Sequence, residues 1–315
     1  MFLGVTLLSY GLLYLSPNDP AEMMLIAQGV PLDEEVLAAM RARMGLDQPF
    51  WTQYLTWLWN FIRGDLGVSY AQSEPVADML LRALPTTLRL TGLACLITFV
   101  LSIPLGIWAA VRKNRLTDSL IRLGTFVGVS TPGFFLALVL MYVFSVRLRV
   151  LPVLGDSRTL TGLLLPAVTL AAGQTCKYIR QIRAAVLEEL GRGYVRGSRS
   201  RGVRERVILC RNVLKNAMLT VVTLMAMTIG SLLGGTAVIE RIYSLQGLGN
   251  VLMTAITNRD YPVVQGIVAW MAVIFVLINL LADLLSRVLD PRLRLQTARR
   301  REDGAEGGGG LAPAQ

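Results

Sequence analysis

Residues 192–209 read Arg192-Gly193-Tyr194-Val195-Arg196-Gly197-Ser198-Arg199-Ser200-Arg201-Gly202-Val203-Arg204-Glu205-Arg206-Val207-Ile208-Leu209, a basic stretch set between two long apolar runs. Tyr194, Val195 and Ser198 share one helical face. Gly202 then breaks the run, and Val203, Val207, Ile208 and Leu214 open a second amphipathic piece. A short helix, a glycine turn and a second helix make a stiff knob. A solvated basic loop held at lipid headgroups has the same composition and is the plainer alternative.

The runs on either side point to a bilayer. The chain has 315 residues, of which 53% are hydrophobic and 17% charged, with a mean hydropathy of +0.53. That is too little charge to cover a soluble protein of this length. Taking about 20 apolar residues per span, five full candidates emerge at 88–111, 120–146, 160–178, 217–239 and 263–288. A shorter apolar run, Met1 to Leu15, reads as a shortened first membrane helix and not as a signal peptide, because no basic segment precedes it. Pro104 and Pro132 fall inside the second and third spans and predict a kink or a local opening there.

Charge sets the orientation. Residues 16–86 carry nine acidic and four basic side chains, whereas 177–215 carry eleven basic and three acidic. Basic loops stay in the cytoplasm, so 17–86 is expected outside and the connections at 112–122 and 177–215 inside. The outer loop with Arg147, Arg149 and Arg158 runs against this rule and is outweighed. The same rule accounts for the net charge of +10 and makes nucleic acid a poor partner. Outside, acidic Asp33, Glu34 and Glu35 start a helix. A second helix bearing Trp51, Tyr54, Trp57, Trp59 and Phe61 lies along the membrane surface, or caps the spans, or both.

Several chemistries are excluded. No histidine is present, which removes His-based hydrolytic triads and the commonest metal ligand. Cys95, Cys176 and Cys210 have no metal-ligand spacing, and their odd number argues against a disulfide framework. No G-x-x-x-x-G-K-[ST] phosphate loop occurs, so the chain is not itself an ATPase.

The stretch Tyr194-Val195-Arg196, Arg199, Arg201-Gly202-Val203, Arg211-Asn212 and Lys215-Asn216-Ala217 resembles the cytoplasmic signature loop of binding-protein-dependent ABC importer permeases, in the dipeptide, oligopeptide and nickel branch. Gly45-Leu46-Asp47-Gln48-Pro49, Gly64 to Ser69, Pro104 to Ala110, Glu240, Gly247-Leu248-Gly249, Asn258 to Val263 and Asp290-Pro291-Arg292 are similar to the same branch, in order along the chain. Gly193 replaces a usual acidic residue, Thr220 replaces a frequent proline, and Gly197 softens the first helix by about 1 kcal/mol relative to alanine.

The resemblance implies an all-α, polytopic protein of about six transmembrane helices in a bacterial cytoplasmic membrane. Segment 1–16 would be the first helix, 17–86 an extracytoplasmic helical segment, and 87–290 the permease domain with its coupling loop at 184–216, between the fourth and fifth spans. Residues 291–315 would be a disordered cytoplasmic tail. It also implies a second, homologous permease subunit, two ATPase subunits that use ATP and magnesium, and an extracytoplasmic solute-binding protein. This chain would bind no cofactor or metal of its own. Tyr194, Val195, Arg196, Ser198, Arg199 and Gly202 would make the ATPase contact, and Glu205, Arg206 and Arg211 would hold the second helix.

Polar groups inside spans are costly and mark candidate pore positions. Ser130, Thr131, Gln174, Gln265 and Asn279 qualify, whereas Asp283 has Arg287 nearby to pair with. Met225, Met227, Met253 and Met271 offer soft contacts to a metal complex, although methionine in so apolar a chain is more often packing. Within the branch, 56–59 and 104–110 look most like nickel and metallophore permeases and 27–31 like opine-metallophore ones, which favours a nickel-type chelate over a peptide. A chelated metal brings its own ligands, so the lack of histidine is no obstacle. A secondary transporter or channel would show buried charge pairs or an inverted repeat, and an intramembrane enzyme a catalytic pair; neither pattern is visible.

Overall fold

The computed structural model describes residues 1–16, 19–27, 29–218, 221 and 228–289. The described chain is helical: α1 (Phe2–Tyr14), α2 (Pro20–Ala27), α3 (Glu34–Met44), α4 (Phe50–Ile62), α5 (Val76–Val111), α6 (Leu116–Ser130), α7 (Gly133–Leu140), α8 (Leu160–Leu190), α9 (Gly193–Ser200), α10 (Glu205–Val207), α11 (Thr228–Ile242), α12 (Leu248–Thr257) and α13 (Tyr261–Leu289). α7 runs on as a π-helical segment, Met141–Arg147, and α10 as Ile208–Val213. Among the described residues the only strand pairing is an isolated bridge between Val68 and Pro75.

α5 and α8 form the central pair and run in the same direction. Leu90 and Ala94, midway along α5, share a core with Leu163, Ala167 and Ala171 near the start of α8; further on, Ala110 meets Tyr178, Ile182 and Val186. Gly106 sets their spacing, because a Cβ there would stand 2.7 Å from the Ile182 side chain. α5 passes through Pro85 and Pro104 as one helix, so neither proline opens it.

Two of the spans read from the sequence take a different form in the structure. Two described helices are long and apolar enough to cross a membrane, Val76–Val111 and Tyr261–Leu281. A third candidate, Leu116–Ser130 with Gly133–Arg147, is bent by 104° at its break, far more than a packing kink. The cause is local: the residue before a proline is driven out of the helical region, and Thr131 sits at φ −82°, ψ 122°. α8 does not stop at Tyr178 but continues to Leu190, because Ile179, Ile182 and Val186 keep a buried stripe at helical spacing. Its first half carries Pro166, Gln174, Thr175 and Lys177, which dilute its hydropathy. Much of the run expected at 217–239 lies outside the described residues, as do Met225, Met227, Thr220 and the tail at 291–315. The side chain of Asp283 is likewise outside the description.

Outside the central pair, α4 lies antiparallel against α1. Phe2 stacks near Phe61, Tyr10 near Tyr54 and Trp57, and Tyr14 near Phe50. The opposite face of α4 leaves Trp51, Leu55, Trp59 and Ile62 exposed; the helix packs lengthwise on α1, as the capping reading expects and the flat-lying one does not. Asp260 pins the outer turn to the start of α13, accepting hydrogen bonds from Ser69 Oγ, Tyr70 N and Ala71 N.

Candidate functional site: a basic knob and a polar path

α9 ends in the geometry its sequence demands. Gly202 adopts φ +76°, the left-handed region that only glycine enters freely. Gly202 N donates to Arg199 O at 2.9 Å and Val203 N to Ser198 O at 3.2 Å, closing the helix end. Arg199 then clamps the second piece: Nε and Nη2 donate to the two Glu205 carboxylate oxygens at 2.6 and 3.2 Å. The hydrogen bond from Arg199 is the chief reason the Glu205 carboxyl is held below its ordinary range; burial opposes it and the arginine's charge assists.

The knob is fastened from beneath by apolar packing. Val195, Ile208 and Val213 are fully buried in one core with Ile182 and Val186 of α8 and Ala110 of α5. Ser198 is buried too, its Oγ donating to Tyr194 O at 2.8 Å. Tyr194 stands at the edge, where its hydroxyl donates to Glu189 at 2.8 Å and accepts from Asn216 at 3.5 Å. Arg196, Arg199, Arg206 and Arg211 are exposed. Two details differ from the expected amphipathic pattern. Val203 and Val207 are exposed, and the buried positions of the second piece are Ile208 and Val213. The bracing that the structure shows belongs to Glu205, while Arg206 and Arg211 face outward. The chain switches to a π-helical turn at 208–213, a shape its sequence does not announce.

A second clamp fixes the neighbouring turn. Buried Asp118 receives Arg183 Nε at 2.7 Å and Nη2 at 2.8 Å, and Asn114 N at 2.9 Å, tying the start of α6 to α8.

The candidate pore residues are scattered. Gln265 is buried between helices, accepting from Ser9 Oγ at 2.8 Å and donating to Thr6 O at 3.1 Å, so it joins α13 to α1. Ser130 is exposed at the helix break, and Thr131 Oγ1 donates back to Val127 O. Asn279 is half-buried on α13. Gln174 is half-buried, and its Oε1 finds no hydrogen-bond partner among the described residues. The same is true of Thr175 and Gln181 on α8 and of Thr91, Thr98 and Ser102 on α5.

A buried carboxylate was marked in the sequence only by resemblance. Glu240 accepts from Thr87 Oγ1 at 2.7 Å and from Asn250 N at 3.0 Å, and Thr87 Oγ1 accepts from Leu248 N at 2.8 Å. Glu240 and Thr87 therefore satisfy orphan donors at the start of α12, where the helix dipole also favours negative charge. Gly247 has to lack a side chain, since a Cβ would lie 2.5 Å from that carboxylate. No group of three or more His, Cys, Asp or Glu able to hold a metal ion occurs among the described residues.

Known proteins share this sequence and this fold. The family "Binding-protein-dependent transport system inner membrane component" matches residues 102–295, and the N-terminal family of the same systems matches residues 1–91. The chain is 35% identical over 292 residues to the nickel import system permease protein NikB of Staphylococcus aureus strain USA300, covering 93% of this chain and 88% of that protein. The NikB of strain NCTC 8325 matches equally. Among solved structures, a chain of the inward-facing MetNI methionine ABC transporter superposes with a TM-score of 0.58 at 20% identity, over 70% of this chain and 100% of that one.

Proposed function

The chain belongs to the inner membrane components of binding-protein-dependent transport systems, and from that premise we propose that it forms half the pore of an ATP-driven importer for nickel carried as a chelate. A component of this kind is a transport subunit and not an enzyme. The observation that carries the cargo is 35% identity along 93% of the chain to a nickel import permease. A chelate suits this chain better than a bare ion, because it has no histidine and no metal-holding cluster among its described residues.

The assembly we envisage adds a second permease subunit, two ATPase subunits that use ATP and magnesium, and an extracytoplasmic solute-binding protein. In the bilayer, α1, α5, the broken α6–α7 pair, α8, the apolar run at 217–239, and α13 would make six passes. Residues 17–86 would lie outside, and the loop at 184–216 and the tail at 291–315 inside. Closure of the ATPase pair would pull on α9. The apolar anchor of Val195, Ile208 and Val213 would hand that pull to α5 and α8, so that the spans rock between outward and inward access.

The test is a strain lacking this chain. Restoring the wild-type chain is expected to return uptake of labelled nickel supplied with a chelator and not of a labelled dipeptide, and Gly202→Val is expected to cut it several-fold. Restored dipeptide uptake without nickel uptake would replace the metal reading with the peptide one.

A further inference from the structure

α12, the outer end of α5 and the turn at 69–72 enclose a cavity of about 370 Å³ that none of the candidate pore residues touches. Its polar lining is Arg82, Gln72, Gln246, Asn250, Thr254 and Asn258. Among the described lining residues the only carboxylate is Asp260, which is buried and already accepts Ser69 Oγ, Tyr70 N and Ala71 N from behind. It has little left to offer a cation. Arg82 is exposed and ion-paired with Glu74, which uses one of its five donors. Arg241 adds a second guanidinium behind the α12 wall, donating to Asn250 Oδ1 at 3.1 Å and Thr254 Oγ1 at 3.3 Å. Glu74 and Asp78 balance the charge of Arg82, so what the cleft offers is the remaining guanidinium donors and side-chain amides, with no carboxylate in its lining free to bind.

Position matters as much as charge. Arg82 and Ala110 stand at opposite ends of α5, roughly 40 Å apart at the rise of a helix. Ala110 packs in the core that holds the basic knob. That separation exceeds the ~30 Å hydrocarbon core of a bilayer, so a cleft on one side faces the opposite compartment from the knob.

We propose that this cleft reads a carboxylate on the incoming cargo, with Arg82 as the contacting group and the amides of Gln246 and Asn258 beside it. A bare divalent cation finds no free carboxylate in the lining to bind it, whereas a carboxylate matches the planar fork of arginine. The inference rests on the importer reading above and deepens it: a metal would enter wrapped in an anionic chelator.

The test uses the assembled transporter with its binding protein. Arg82→Gln is expected to raise the KM of a carboxylate-bearing cargo about tenfold at an unchanged maximal rate, and Arg82→Glu to raise it further. Arg63→Gln, at an outer-surface arginine stacked on Trp59, leaves KM unchanged. Nickel nitrilotriacetate supplies the carboxylate from a chelator, and a labelled dipeptide supplies it from its C-terminus. Import of the dipeptide alone would sink the nickel reading while leaving the cleft to be judged by the same KM shift. The binding-protein concentration that half-stimulates ATP hydrolysis separates cargo reading from protein docking, and should not move. If Arg82→Gln leaves KM unaltered, or if it shifts that concentration instead, the cleft does not read the cargo.

Discussion

At Gly202 a single side chain would do the most harm to the knob. An L-residue in the left-handed region costs about 1–2 kcal/mol, and asparagine tolerates it best. Gly202 has open space around it, so the penalty is one of backbone alone. Gly202→Val is therefore expected to cut uptake several-fold at equal amounts of assembled complex, while Gly202→Asn keeps most of it. Glu240 offers the opposite case, a residue whose importance is all contact. Glu240→Ala leaves the Thr87 hydroxyl and Asn250 N unsatisfied in a buried place, at about 1–3 kcal/mol for each stranded group. A thermal melt of the purified chain should show a midpoint lower by several degrees. The two residues also mark what sequence can reveal. Gly202 interrupts a helical pattern and is visible locally. Thr87 stands 153 positions from Glu240, and no spacing rule connects them.

Elements that depend on local chemistry were legible, and those that depend on partners were not. The first half of the knob with its glycine turn, the acidic start of α3 and the aromatic face of α4 follow from periodicity and composition. The extension of α8 to Leu190 and the 104° break at Thr131 were not legible in full, because the first needs the core around Val195 and the second an angle that proline permits without fixing. The joint between α9 and α10 gives a sharp test. Arg199→Glu faces Glu205 with a like charge and should reduce uptake, and adding Glu205→Arg should restore part of it. Acidity acts on the same joint with a definite sign. The folded-state carboxyl of Glu205 sits below its ordinary range, so its pairing is complete at neutral pH and is lost only as the pH falls through that lowered value. Amide exchange of residues 198–208 is expected to be flat between pH 6 and 8 once corrected for intrinsic rates (roughly two decades of hydroxide that leave the carboxylate ionised), and to quicken in acid.

For the whole molecule, the central pair of α5 and α8 links the cleft at Arg82 to the basic knob, and its interface is uneven. Apolar cores pack the pair around Leu90 and around Ala110, while Thr91, Thr98 and Ser102 on α5 and Gln174, Thr175 and Gln181 on α8 all have buried polar atoms lacking partners among the described residues. Each such atom costs about 1–3 kcal/mol against a paired one. A pair of helices carrying so many would be stable enough to stay together but cheap to shift, which would suit the rocking proposed for the transport cycle. Removing one polar atom while preserving shape should then raise stability and slow transport together. Thr98→Val is expected to lift the thermal midpoint of the purified chain by a few degrees and to lower the rate of uptake at saturating cargo. A gain in stability with uptake unchanged would mean these atoms are mere imperfection. A loss of stability would mean that the Thr98 hydroxyl has a partner, water included, in the resting state.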